Sequence, residues 1–112
     1  DFMPKPFTDP RLLILREEDN VCIACRRLDA DTSLTIDDQS VELKSDVFTG
    51  HKIARQLIKA GEKVFKYGAP IGSALSDIEP GQSVHTHNVK SDYIATYTLD
   101  DARDKASQED AR

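Results

Sequence analysis

Cationic clusters, long apolar runs and cysteines are all scarce in this chain, and each shortage removes a class of function. No cluster of Lys and Arg interleaves with aromatics, and 15 basic residues face 20 acidic ones for a formal net charge of -5. Nothing here would neutralise a phosphate backbone, so nucleic acid is not an expected partner. No apolar run approaches the roughly 20 residues that cross a bilayer. With 38% hydrophobic and 31% charged residues, the expectation is a soluble globular protein with no membrane role. There are only two cysteines, and Asp1-Phe2-Met3-Pro4 lacks the basic and apolar segments of a secretory signal. A reduced, cytoplasmic setting is therefore expected, with Met3 as the natural start. An acidic surface does not draw in an anion, so an anionic ligand would have to be held by local cations or a metal.

The 112 residues have room for one domain and not for a second, catalytic one. Three stretches are expected: an irregular arm over 1–10, a folded domain over 11–90 and a charged tail over 91–112. The arm carries Pro4, Pro6 and Pro10 and reads as no regular element. Arg11-Leu12-Leu13-Ile14-Leu15 and Val21-Cys22-Ile23-Ala24-Cys25 are short apolar runs that suit strands. Ile36, Val41, Leu43 and Val47 lie at mostly even spacings among polar residues, which favours strands with one wet face. Ile53, Ala54, Leu57 and Ile58 are the one helix-like pattern, predicting a short helix over 53–60. The tail from Leu99 has no apolar stripe to bury and reads as frayed helix or disorder.

An internal repeat runs through this pattern. Val47-Phe48-Thr49-Gly50-His51-Lys52-Ile53, Ile58-Lys59-Ala60-Gly61-Glu62-Lys63-Val64 and Ile78-Glu79-Pro80-Gly81-Gln82-Ser83-Val84 all read apolar, two spacers, Gly, two polar residues, apolar. Leu28 to Leu34 is a degenerate fourth copy with Asp31 in place of Gly. Each copy predicts an apolar anchor, a turn through positive φ and a departing strand; Asp is a tolerable substitute because it visits the left-handed region more readily than most residues. The fold expected is mainly β, of short bent strands, and the unequal intervals exclude a solenoid.

Few residues carry chemistry. His85-Thr86-His87 follows Val84 on an expected strand, where alternate residues face one way. Its two imidazoles would chelate a cation such as zinc or iron(II), or simply stand on an exposed face. His51 and Lys52 follow a turn glycine and either sit at a pocket rim or lie exposed; Lys66-Tyr67 precedes the turn Gly68-Ala69-Pro70-Ile71-Gly72, where Lys66 either pairs with a carboxylate or is an ordinary surface lysine. Cys22 and Cys25 have a redox or zinc spacing but sit in an apolar run on opposite strand faces, so both read as core filler. No phosphate loop or nucleophile elbow is present.

Taken in order, Gly50-His51-Lys52-Ile53-Ala54, then Lys66-Tyr67-Gly68-Ala69-Pro70-Ile71-Gly72-Ser73-Ala74, then Asp77 to Val84 with His85-Thr86-His87-Asn88, these motifs resemble the amino-terminal domain, or separate small subunit, of altronate and galactarate dehydratases. Asp19-Asn20-Val21 and Arg27-Leu28 fit less specifically. The resemblance covers about Leu12 to Val89 and implies a SAF-type β-clip domain with one or two short helices. It further implies a larger catalytic subunit as partner, a small-molecule sugar acid as substrate, and a divalent metal, Fe2+ or Mn2+, in the assembled enzyme. Carried over by position, it points to His51 and Lys66 as catalytic, Lys52 and Asn88 as substrate-binding and His85 and His87 as metal ligands. Asn88 has a second possible task, fixing a turn. The reaction implied is loss of water from a hexonic or hexaric acid to give a 2-keto-3-deoxy acid, with no activity in this chain alone. A sulfolactate sulfo-lyase with a similar small subunit is the runner-up, and a non-catalytic sugar- or anion-binding SAF module is the reading from another class. Association into a homo-oligomer stays open.

Overall fold

The computed structural model describes residues 5–92. Every regular element among them is a strand: β1 (Leu12–Leu13), β2 (Val21–Ala24), β3 (Ser33–Ile36), β4 (Gln39–Glu42), β5 (Lys52–Ala54), β6 (Lys63–Lys66), β7 (Ala69–Ala74), β8 (Ser83–Val84) and β9 (Val89–Lys90). A central antiparallel sheet runs β1-β2-β5-β8. The hairpin β3-β4 and the three-stranded sheet β6-β7-β9 are separate sheets.

The repeat seen in the sequence organises this architecture. Its anchors Leu28, Val47, Ile58 and Ile78 are all buried, and they pair as two isolated bridges, Leu28 with Val47 and Ile58 with Ile78. Its turn residues Asp31, Gly50, Gly61 and Gly81 all hold positive φ, at 69°, 85°, 87° and 85°. The departing anchors Leu34, Ile53, Val64 and Val84 are buried in turn. Each unit thus enters on a buried side chain, reverses through the left-handed region and leaves as a strand.

Hydrogen bonds show that two such units make one half of a duplicated fold. Gly50 N–H donates to Ala24 O as Gly81 N–H does to Ala54 O, both at 2.8 Å. Asp46 Oδ1 accepts the Ala30 N–H as Asp77 Oδ1 accepts the Ala60 N–H, again at 2.8 Å. The hairpin β3-β4 turns at Asp37 and Asp38, and β6-β7 at Tyr67 and Gly68, all four with positive φ, as a two-residue type I′ turn demands. Cys22 pairs with Ile53 across the central sheet, and one repeat later Lys52 pairs with Val84.

The halves use opposite faces of the central sheet. Neighbouring residues on a strand point to opposite sides, so Cys22, Ala24 and Ile53 join Leu34, Ile36 and Leu43 in one buried cluster. Val21, Ala54 and Val84 join Ile58, Val64 and Ile78 in the other. This explains why the helix expected over 53–60 does not form. Ile53 belongs to the first core, Ala54 and Ile58 to the second, and Leu57 is exposed, so the helix-like spacing reflects two strand faces rather than one helical stripe. No helix of either expected kind occurs among the described residues, and none there is long and apolar enough to cross a membrane.

Two segments ahead of the first half clamp the two hairpins. Asp38 N–H donates to Phe7 O and Asp9 N–H to Thr35 O, both at 2.8 Å, so part of the proline-containing arm is held against the first hairpin. Asp19, buried despite its charge, accepts Tyr67 N–H at 3.0 Å and Gly68 N–H at 2.7 Å. The Asn20 amide bonds Phe65 N–H and Lys63 O. Arg55 ties the two clamps together, donating to both oxygens of Asp37 and to the carbonyls of Glu17 and Asp19. The frayed tail expected from Leu99 lies outside the described residues.

Candidate functional site

Strand β8 ends at Val84, and His85, Thr86, His87 and Asn88 form the turn into β9. The strand alternation expected for His85 and His87 therefore does not exist. Asn88 is the cause. It is buried, its Oδ1 accepts the His85 N–H at 2.9 Å and its Nδ2 donates to Ser83 O at 2.7 Å. Its backbone N–H and that of Val89 both donate to His85 O at 3.0 Å. Of the two tasks considered for Asn88, the turn-fixing one is what its contacts serve.

The turn brings His85 to a different partner. Its ring lies 6.3 Å from that of His51, the planes within 13° of parallel. His51 precedes β5, held by its N–H to Phe48 O and by its carbonyl accepting the Ala24 N–H. The Phe48 ring meets His51 edge-on at 5.7 Å, and the Arg27 guanidinium stands 5.4 Å from the Phe48 centroid, within cation–π range. A strip Arg27, Phe48, His51, His85 therefore runs across the surface from the first half of the fold to the second.

Beside it a cleft of about 280 Å³ is lined by Lys52, Ile71, Val84, His85, Thr86, Val89 and Ser91. Lys52 opens β5 and is half-buried; loss of solvent and then the nearby charge of Lys66 hold its pKa below the ordinary lysine value. Lys66 ends β6, half-buried, its Nζ 5.0 Å from the Tyr67 ring centroid. His51, Lys52, Lys66 and His85 thus lie in one region, but only Lys52 and His85 line the cleft itself, and His87, although exposed, does not. A larger groove of about 650 Å³ runs along β4 past Arg55 and Pro80. It contains none of the candidate site residues, and two charges that line it, Arg55 and Asp37, already pair with each other at 2.7 Å.

Chemically, the cleft offers the Lys52 ammonium and the His85 imidazole, with Lys66 and His51 beside them, groups suited to holding carboxylate and moving protons. As a metal centre it is incomplete: among the described residues no group of three or more His, Cys, Asp or Glu is placed to hold an ion, and two imidazoles fall short of the usual ligand count. The cysteines play no part here. Cys22 is buried and its thiol pushed up to about 12, chiefly by that burial; Cys25 lies just past β2 and is exposed, against its expected place in the core.

Sequence reasoning assigned no site role to Arg27, Phe48, Ile71, Thr86 or Ser91; the first four lay inside quoted motifs, but nothing there distinguishes them from their neighbours. Ring contacts between residues 21 and 34 positions apart, Arg27 with Phe48 and His51 with His85, leave no local signal.

Comparison with known proteins agrees with these motifs. The family model described as the altronate/galactarate dehydratase SAF domain matches residues 10–92. Altronate dehydratase of Escherichia coli (strain K12) is 47% identical over 72 residues, which cover 64% of this chain and 14% of that protein. Altronate dehydratase of Bacillus subtilis (strain 168) is 42% identical over 76 residues, 68% of this chain and 15% of that protein. The alpha subunit of (2R)-sulfolactate sulfo-lyase from Paracoccus pantotrophus is 49% identical over 47 residues, 42% of this chain and 70% of that subunit. The chain therefore spans about one seventh of the altronate dehydratases it matches.

Proposed function

The chain belongs to the altronate/galactarate dehydratase SAF domain family, and from that premise we infer that it is the accessory SAF part of a sugar-acid hydro-lyase whose catalytic region lies elsewhere. What supports the reading is a cleft lined by Lys52 and His85, with Lys66 near the first and His51 stacked near the second, on a chain of net charge -5. Local cations are what such a chain needs in order to hold an acid.

In this reading Lys52 and Lys66 hold the carboxylate of an altronate- or galactarate-type acid. A base then takes the proton from the carbon beside that carboxylate, the hydroxyl on the next carbon leaves as water, and the enol becomes a 2-keto-3-deoxy acid. Charge builds on the carboxylate side as the proton leaves, and fixed ammonium groups stabilise it without reorganising. His51 is the proton carrier on offer. A divalent metal, iron(II) or manganese(II), would be held only in the assembled enzyme, where His85 and His87 would need donors from beyond the described residues, and it would stabilise the charge that builds on the carboxylate side.

A second reading has its own support. The P. pantotrophus protein carries the name of a separate subunit, and the match spans 70% of it. The same cleft would then serve a sulfo-lyase, with sulfite leaving in place of water. Co-purification from the native host, followed by reconstitution with the large partner, tests both. Turnover of galactarate or altronate on addition of the partner supports the hydro-lyase, and sulfite release from sulfolactate supports the alternative. A chain that binds acids but joins no partner would be a non-catalytic module. Turnover by the purified chain alone, at about 1 per second or more, would refute the accessory role.

A further inference from the structure

The duplication assigns to each residue of the second half a counterpart in the first, and the cleft lies where the two halves differ. Lys52 pairs with Val84 as Cys22 pairs with Ile53, so Lys52 holds the position that Cys22 fills in the first core. Lys66 pairs with Ala69 beside its hairpin turn as Ile36 pairs with Gln39 beside the other, so Lys66 holds the position of Ile36. Cys22 and Ile36 are 0% and 1% exposed and sit in one core cluster. Two core positions of the first half are thus lysines in the second.

The hairpins differ by one further residue. In β3-β4 the pairing runs without interruption, whereas in β6-β7 Val64 pairs with Gly72 and Phe65 with Pro70, leaving Ile71 as the extra residue of a bulge. Bulges often re-aim a side chain beside a site, and Ile71 lines the cleft with Lys52 while staying 37% exposed. Among the described residues neither lysine has a carboxylate partner. A like-charged pair set into former core positions is an arrangement that folding alone does not favour.

We propose that the second core has been opened into a binding site for a small dianion, gripped by Lys52 and Lys66 together and walled by the bulge residue Ile71. One negative group would leave one of the two ammonium charges uncompensated; two groups match the pair. This rests on the functional reading above and narrows it, within that chemistry, to acids carrying two negative groups rather than one.

The test uses the full chain, with galactarate as the dianionic probe and gluconate as the monoanionic one at matched ionic strength, followed by lysine-resolved NMR and thermal melting. Galactarate is expected to bind at least tenfold more tightly than gluconate and to perturb both lysines. The double variant Lys52→Met/Lys66→Ile, which restores first-half chemistry, is expected to lose that binding tenfold or more while melting at a higher temperature than the parent. Should the double variant fail to fold, Lys66→Gln alone serves: it should weaken galactarate binding and raise the Lys52 pKa. Equal affinity for the two probes, no detectable galactarate binding, or lysine variants that bind like the parent would overturn the proposal. Galactarate binding that survives while the reconstituted enzyme turns over neither acid would sink the functional reading and leave the site standing.

Discussion

Gly61 and Gly81 occupy equivalent turns with nearly the same φ, +87° and +85°, yet their surroundings differ, and that difference sets a quantitative prediction. A Cβ at Gly61 would meet nothing within 4 Å, whereas one at Gly81 would run into Val41 Cγ1. Replacing either by Ala places a Cβ in the left-handed region, a strain of about 1–2 kcal/mol. Lowering the entropy of the unfolded chain returns about 0.4–1 kcal/mol. Gly61→Ala should therefore cost about 1 kcal/mol. Gly81→Ala carries the same term plus the overpacking against Val41, about 1–3 kcal/mol, for a total of about 3 kcal/mol. Urea unfolding of both variants reads these values, with the slope unchanged if the unfolded state is unaffected. In a double-mutant cycle, Val41→Ala should relieve only the steric part of the Gly81→Ala loss, giving a coupling of about 1–2 kcal/mol. Two glycine variants equal in stability, or either one as stable as the parent, would show that the backbone at these turns is not what the duplication requires.

The remaining expectations are more local. Asp31→Gly, at φ 69° on an exposed turn, should leave stability unchanged or raise it by up to about 1 kcal/mol as the left-handed strain is removed; a loss on thermal melting would count against the fourth copy. Asp19→Ala strips the acceptor from two turn N–H groups and should cost about 2–3 kcal/mol, with hydrogen exchange faster at Tyr67 and Gly68 than elsewhere; uniform exchange would show that the carboxylate does not pin this turn. Lys52 has a folded-state pKa below its ordinary 10.5, so folding is penalised while pH lies below the folded value and the penalty fades as pH rises through it towards 10.5. Lys52→Met should accordingly stabilise the chain at neutral pH, with a gain that shrinks in alkaline melts; a pH-independent gain would mean that lost packing, not charge, is being measured.

The β class and the turns were legible because their cause is local. A glycine three residues past an apolar anchor announces its backbone conformation wherever it stands, and Asp31 could be read as the same device because few other residues tolerate that φ. The false helix over 53–60 shows the limit of periodicity. A segment that serves a core on each side of one sheet buries consecutive residues, Ile53 and Ala54, and then resumes burial at Ile58. That is also how a helix would read. The two situations are told apart by which residues lie opposite, and the partners of this segment are Val21 to Ile23 and Ser83 to Val84, roughly 30 positions away on either side.

The site was legible as a set of residues and not as an arrangement. His51, Lys52, Lys66 and His85 were each marked by their motifs, but the grouping expected, His85 with His87, assumed a strand that Asn88 ends by taking both the His85 N–H and the Ser83 carbonyl. Asn88 belongs to the motif for the turn that it makes, and that turn carries His85 to His51 instead. The same holds for the lysines. A lysine opening a strand reads as surface because nothing in the local sequence states that its counterpart one repeat earlier is the wholly buried Cys22. Only the duplication, aligned through its hydrogen bonds, turns Lys52 and Lys66 from two solvated side chains into substitutions for a core. The repeat that made the fold readable is therefore also the reference against which the site stands out.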